Sequence, residues 1–215
     1  MDAARLDALI YKGRDKAAQH IGQPCQVFRP MATGSPFTNQ IGMIDAAFNA
    51  ADSAYSKPNL YGKAVWFADL DGRITQPGDY LARMTDNAFW FIAAQQSLLP
   101  IVAIACNRII SAFRPQQQTG VGAVGYGGDT VAQETALITG YPASILQATK
   151  SDRSLVNLPG DVRNPAWTLL LPSLPGDVTL RSEDVITDDQ SRRYVISGAE
   201  LTDLGWRISA VQAET

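Results

Sequence analysis

Gly78-Asp79-Tyr80-Leu81, followed by Phe89-Trp90-Phe91-Ile92-Ala93, decides how the chain reads. Pro77-Gly78 is a turn signal, and the aromatic run after it is a strand signal, because large flat side chains pack well on a pleated surface. Upstream, Val65-Trp66-Phe67 reads as a strand and Asp71-Gly72 as a hairpin turn. Downstream, Pro100 to Ser111 is apolar and rich in β-branched residues and reads as one long strand, closed by Arg114-Pro115.

A second block of similar order lies about 104 residues later. Trp167 takes the place of Trp66, Glu183-Asp184-Val185-Ile186 that of Gly78-Asp79-Tyr80-Leu81, and Tyr194-Val195-Ile196-Ser197 that of Trp90-Phe91-Ile92-Ala93. Trp66, Asp79, Ile92, Trp167, Asp184 and Ile196 are the landmarks of this repeat. The expected fold is mainly β, with two small β-barrel or sandwich modules. A duplication and two unrelated antiparallel sheets are both open readings of the pair.

Residues 1–56 read as an N-terminal helix and an extended arm, 57–115 as the first β module, 116–165 as an irregular Gly- and Pro-rich arm, and 166–215 as the second module. The helix covers Met1 to Ile21, with Leu6, Ile10, Ala17 and Ile21 on one face and Asp2 placed to cap it. Its other face is basic: a solvated surface, or a docking surface for an acidic neighbour. Ile41 to Tyr55 is ambiguous, since Ile44, Phe48, Ala51 and Tyr55 also fall at helical spacing.

Composition narrows the function. The 215 residues are 46% hydrophobic with a net charge of −3, enough for a packed core and too little positive field to grip nucleic acid. Sequence-specific nucleic-acid binding is not expected, although DNA can pass such a surface. Cys25 and Cys106 make neither a disulfide framework nor a C-x-x-C pair, and His20 is the sole histidine, so no metal is expected. No apolar run is long enough to cross a bilayer, so stable membrane insertion is not expected, nor does the N-terminus have the form of a signal peptide.

Gly120, Gly122 and Gly125 spell G-x-G-x-x-G, but glutamines precede them instead of a strand, so no cofactor is expected. Ser144 lacks the glycine elbow of a hydrolase nucleophile. The acids Asp69, Asp71 and Asp79, and Asp184, Asp188 and Asp189, could hydrolyse glycans as pairs, but they fall where aspartate ordinarily supports turns. Asp69-Leu70-Asp71-Gly72 has only part of a calcium loop. No catalytic residue is expected.

Phrases along nearly the whole chain carry a resemblance. Tyr11-Lys12-Gly13-Arg14-Asp15-Lys16, Phe28-Arg29-Pro30, Gly78-Asp79-Tyr80-Leu81, Tyr126-Gly127-Gly128, Leu158-Pro159-Gly160-Asp161 and Glu200-Leu201-Thr202-Asp203-Leu204-Gly205-Trp206 are similar to those of virion proteins of tailed phages of proteobacteria. The β module resembles the phage head-closure, or stopper, barrel, in which a Gly-Asp turn leads to a Tyr-x-Ile strand and then to a long terminal strand. Stoppers run to about half this length, so the resemblance implies a doubled neck or tail component rather than a plain stopper.

The resemblance implies a connector, tail ring or hub through which DNA is retained and ejected. It would be made in the host cytoplasm and reside in the virion. Its partners would be itself, in a ring or trimer of three, six or twelve copies, and other neck or tail proteins. Exposed strand edges would serve as joints between subunits. Arg5, Lys12, Arg14, Lys16 and Tyr126 are the candidate assembly contacts. A tail-tip, fibre-anchoring or receptor-binding protein is one alternative, and a virion-associated wall hydrolase another.

Overall fold

The computed structural model describes residues 2–32, 34–115, 134–148 and 166–213. One helix, α1 (Ala3–Ile21), precedes the strands β1 (Gln23–Phe28), β2 (Gln40–Asn49), β3 (Val65–Asp69), β4 (Tyr80–Arg83), β5 (Phe89–Ala94) and β6 (Ile101–Cys106). They are followed by β7 (Arg108–Pro115), β8 (Glu134–Gln147), β9 (Ala166–Leu171), β10 (Val185–Asp188), β11 (Arg193–Thr202) and β12 (Gly205–Gln212). The chain is thus mainly β with an N-terminal helix, and its strands form two modules.

Each module is a closed barrel with antiparallel neighbours. The first runs β1-β2-β3-β6-β5-β4 and closes where β4 pairs with β1. The second runs β7-β8-β9-β12-β11-β10 and closes where β10 pairs with β7. The strand order is the same in both. Closure leaves no unpaired edge strand in either sheet. The expected β-edge joints are therefore corrected: among the described residues the barrel strands present faces and ends and no free edge strand.

The module boundaries also move. The first barrel spans 23–106, taking β1 and β2 from the segment expected to be an arm, and the second spans 108–212. The expected long strand at 100–111 is two strands in two barrels, broken at Asn107. The Asn107 side chain donates to the Ile145 carbonyl at 2.8 Å and accepts from the Ile145 amide at 2.8 Å, which pins the crossing to β8. β8 itself lies inside the expected 116–165 arm. Asp71-Gly72 is not a hairpin, because β3 pairs with β2 and β6 and the chain crosses over to reach β4.

β2 replaces the ambiguous helical stripe. Ala46 and Ala47 are both buried although they point to opposite faces, because the core lies inside the barrel and α1 outside it. Two-sided burial removes the polar alternation that marks a half-exposed strand. α1 forms as expected, and Asp2 sits at its N-cap without a side-chain capping bond. Its inward face, however, is Tyr11, Arg14 and Ala18, while Leu6 and Ile21 are exposed. The barrel wall there offers charge: Asp69 takes Arg14 at 2.7 Å and Arg73 takes Asp15 at 3.3 Å. The face combines these pairs with apolar contact, the Tyr11 ring packing on the core of barrel one and Ala18 fully buried.

Val27, Ile44, Leu70, Leu81, Ile92 and Ile101 fill the first barrel. The second is filled by Ile110, Ala112, Leu169, Ile186, Ile196 and Ile208, among others. This second cluster continues across to the outer wall of barrel one, through Phe28, Tyr80, Phe91 and Ile104. Tyr80 lies at the seam, fully buried, with its hydroxyl donating to the Pro142 carbonyl at 2.9 Å and its ring 6.3 Å from that of Tyr141. Phe37 packs on Phe28 and Phe89 at ring distances of 5.2 and 5.1 Å. An apolar seam of this kind is shared by the two barrels.

Candidate assembly surfaces

The repeat landmarks fall at matching register positions. Trp66 lies on β3, one residue before Phe67, which pairs with Asn49. Trp167 lies on β9, one residue before Thr168, which pairs with Leu146. Ile92 and Ile196 each precede a bulge, with Ala103 and Ala210 opposite them. Both isoleucines are buried in the barrel interiors.

Asp79 and Asp184 are the polar counterparts. Arg29, just past the end of β1, gives Nε and Nη2 to the two Asp79 oxygens at 2.8 Å each. Arg114, near the end of β7, gives Nε and Nη2 to Asp184 at 2.8 and 2.9 Å. The same Nη2 reaches a loop carbonyl in each case, Ile74 at 3.3 Å and Thr179 at 2.7 Å. Backbone amides of Gln76 and Arg181 complete each carboxylate at 2.9 Å. Planar two-point pairing of this kind fixes orientation as well as distance. Each lock ties the first strand of its barrel to the turn before the fourth, which is the seam where the barrel closes.

Sequence reasoning singled out the two aspartates and missed both arginines. The signal was there: Phe28-Arg29-Pro30 recurs as Phe113-Arg114-Pro115. Its offset is shorter than that of the landmarks, because more residues separate Phe113 from Trp167 than Phe28 from Trp66.

Three of the other carboxylates considered for glycan chemistry are also held by arginines, and the fourth, Asp189, is exposed and meets Arg108 only at 4.0 Å. Asp69 pairs with Arg14, Asp71 with Arg73, and Asp188 with Arg192. Burial alone would raise the Asp71 and Asp188 carboxyls. Hydrogen bonds from Arg73 and Arg192 outweigh it and hold both below the usual range. Asp79 lies in one barrel and Asp184 in the other, so the two do not form a pair. Among the described residues no group of three His, Cys, Asp or Glu side chains could hold a metal ion, and no helix is long and apolar enough to cross a membrane.

Of the candidate assembly contacts, Arg14 is used within the chain, in the half-buried pair with Asp69. Arg5, Lys12 and Lys16 are exposed on α1 without an ion-pair partner among the described residues. Tyr126 and the glycine cluster lie outside the described residues. Leu6 and Leu9 are exposed beside the basic residues. Asp7 anchors this end of the helix by accepting from the Ser97 hydroxyl at 2.8 Å and the Leu98 amide at 3.2 Å.

Barrel two carries an outer groove of about 480 Å³ between β7, β8 and β10. Ile109 and Phe113 supply apolar wall, and Glu134, Asp189 and Arg193 supply charge. The Glu134 side chain is 1% exposed; Arg193 pairs with its Oε1, and its Oε2 has no hydrogen-bond partner. The chain matches no protein-family model, no curated protein and no solved structure.

Proposed function

We propose that this chain is a non-enzymatic structural component of a tailed-phage virion, part of the neck or tail, acting as a connector, ring or hub through which DNA is retained and ejected. The observation that carries the reading is the pairing of two barrels of identical strand order across one apolar seam. Such a block presents two similar modules from every subunit. A ring built of it shows twice as many modules as subunits, which is one way to join neighbours of different rotational order. Closed walls, arginine-held carboxylates and a small net negative charge support a scaffold past which DNA slides.

Partners in this reading are further copies of the chain and adjoining neck or tail proteins. The phage setting rests on the sequence resemblance. Reconstruction of intact particles by cryo-electron microscopy tests it. Paired barrels repeated around the neck or tail axis are the expected result. Density only at fibre tips would overturn it in favour of receptor binding, and absence from the particle would overturn the virion role altogether.

A further inference from the structure

The loop between β2 and β3 fixes its own backbone and leaves its apolar tip in water. The Asn49 side chain donates to the Lys57 carbonyl at 3.1 Å and accepts from the Ala51 and Asp52 amides at 2.7 and 2.9 Å. Asn59 Oδ1 accepts from the Ala50 amide at 2.8 Å, and the Trp66 indole donates to the Lys63 carbonyl at 3.0 Å. Between these pinned positions stand Leu60, 62% exposed, Tyr61, fully exposed, and Gly62, whose φ of +67° turns the chain back. Lys57 and Lys63 flank the tip, both exposed and without an ion-pair partner among the described residues. Asp52 is folded into the loop, accepting from Ser56 Oγ at 2.6 Å and from the Ala54 and Ser56 amides at 3.2 and 3.1 Å, and Lys57 acts on it only through its field. The same end of barrel one exposes Ile21 just before β1, Val65 at the start of β3 and Met84 just after β4, whose amide donates to the Pro24 carbonyl. Asp86, in the β4–β5 turn, is paired with Arg83.

We propose that the Leu60–Tyr61 tip is a peripheral anchor for an anionic lipid surface. Leu60 enters the boundary between acyl chains and headgroups, and Tyr61 suits that layer because its ring is apolar while its hydroxyl still reaches water. The stems of Lys57 and Lys63 lie along the boundary, and their ammonium groups meet the negative headgroups. Charge complementarity favours this occupant: the carboxylates in the loops of this end are engaged within the chain, and the lysines beside the tip are not. Shape favours it too. The tip is a projection and not a groove, and the other exposed apolar groups of this end come from three separate elements, which a soft surface covers more readily than one protein pocket does. A loop already held in place loses little freedom on insertion. The contact reaches only the depth of two side chains, so it binds at the surface and does not cross. The inference goes beyond the connector reading and does not rest on it.

The test is flotation of the full chain with vesicles of phosphatidylglycerol and phosphatidylcholine in equal parts, against vesicles of phosphatidylcholine alone. The wild type is expected to float with the charged vesicles, much less with the neutral ones, and less as salt is raised. The combined Leu60→Ser and Tyr61→Ser variant should lower partitioning about ten-fold or more with its circular dichroism unchanged, since both side chains are exposed. The combined Lys57→Glu and Lys63→Glu variant should lower it about ten-fold or more on the charged vesicles. Leu98→Ser with Leu99→Ser, exposed at the opposite end of barrel one, should leave partitioning as in the wild type and so separates the tip from general apolar adhesion. Flotation that ignores the tip variants, or is equal on both kinds of vesicle, overturns the inference. A wild type that stays behind with both also overturns it and leaves a protein pocket as the partner of the tip. Each of these outcomes leaves the connector reading to its own test on the particle.

Discussion

Arg114 grips Asp184 with two parallel hydrogen bonds across 70 residues of sequence, and the aspartate is 1% exposed while the arginine is 29% exposed. The pair closes barrel two where β7 meets β10. Removing one partner strands a charge. Loss of a fully buried partner costs about 3–5 kcal/mol, and the partial exposure of Arg114 lowers this to about 2–4 kcal/mol for Asp184→Ala. A lower urea midpoint with little change in slope checks this. Arg114→Lys should recover only part of the loss, because an ammonium cannot span both oxygens.

Gly78 and Glu183 occupy the same position before the two aspartates, with φ of +95° and +75°. A side chain in the left-handed region costs about 1–2 kcal/mol, and a Cβ at Gly78 would meet nothing within 4 Å. Gly78→Ala should therefore destabilise by about 1 kcal/mol through backbone strain alone. Glu183→Gly should gain up to about 1 kcal/mol, less whatever the unfolded chain gains in freedom. Opposite signs from one pair of urea titrations are the expected outcome.

Tyr80 couples the barrels. Tyr80→Phe removes the hydroxyl bond to Pro142 and should cost about 1 kcal/mol. Tyr80→Ala empties a fully buried site and should cost about 3–5 kcal/mol. Because the site is the seam, the larger change should also divide a single thermal transition into two. Calorimetry of both variants reads this directly.

Acid should loosen barrel two through Asp188. Hydrogen bonds from Arg192 hold its carboxyl below the ordinary value of 3.8 in spite of burial. A carboxyl depressed in the folded state contributes stability above its unfolded pKa and loses it as pH falls through the folded value. Stability should thus decline from near pH 3.8 downward. In Asp188→Asn the protein should be weaker at neutral pH and this acid limb shallower. Urea midpoints measured across the pH range test both features.

Burial pushes the Cys25 thiol up to about 11 and also raises that of Cys106. Thiolate is the reactive form, so at about pH 8 the fully buried Cys25 should resist a thiol reagent in the native state and react on unfolding. The labelling rate of Cys25, which is fully buried inside barrel one, should track the opening of that barrel. Rapid native labelling of Cys25 would contradict its placement.

The sequence by itself determined much of the local structure. The aromatic and β-branched runs at Phe89–Ile92, Trp167–Leu171 and Trp206–Gln212 became strands, and Ala3–Ile21 became a helix. It also held the repeat, including the Phe-Arg-Pro tripeptides that provide both locks, though loop insertions blurred the offset. The helix face was half legible: Ile10 and Ala17 are half-buried, but Leu6 and Ile21 are exposed, and hydrophobic spacing says nothing of Asp69 on β3 or Arg73 in the turn after it. β2 was ambiguous because both its faces are covered. Only the tertiary structure decided where one barrel ends and the next begins, at Asn107, inside what reads as one unbroken strand. Strand formation depends on near neighbours, and their side chains are written in order. Barrel closure depends on which distant strand comes back to pair, as β4 does with β1 and β10 with β7, and no local pattern records that choice.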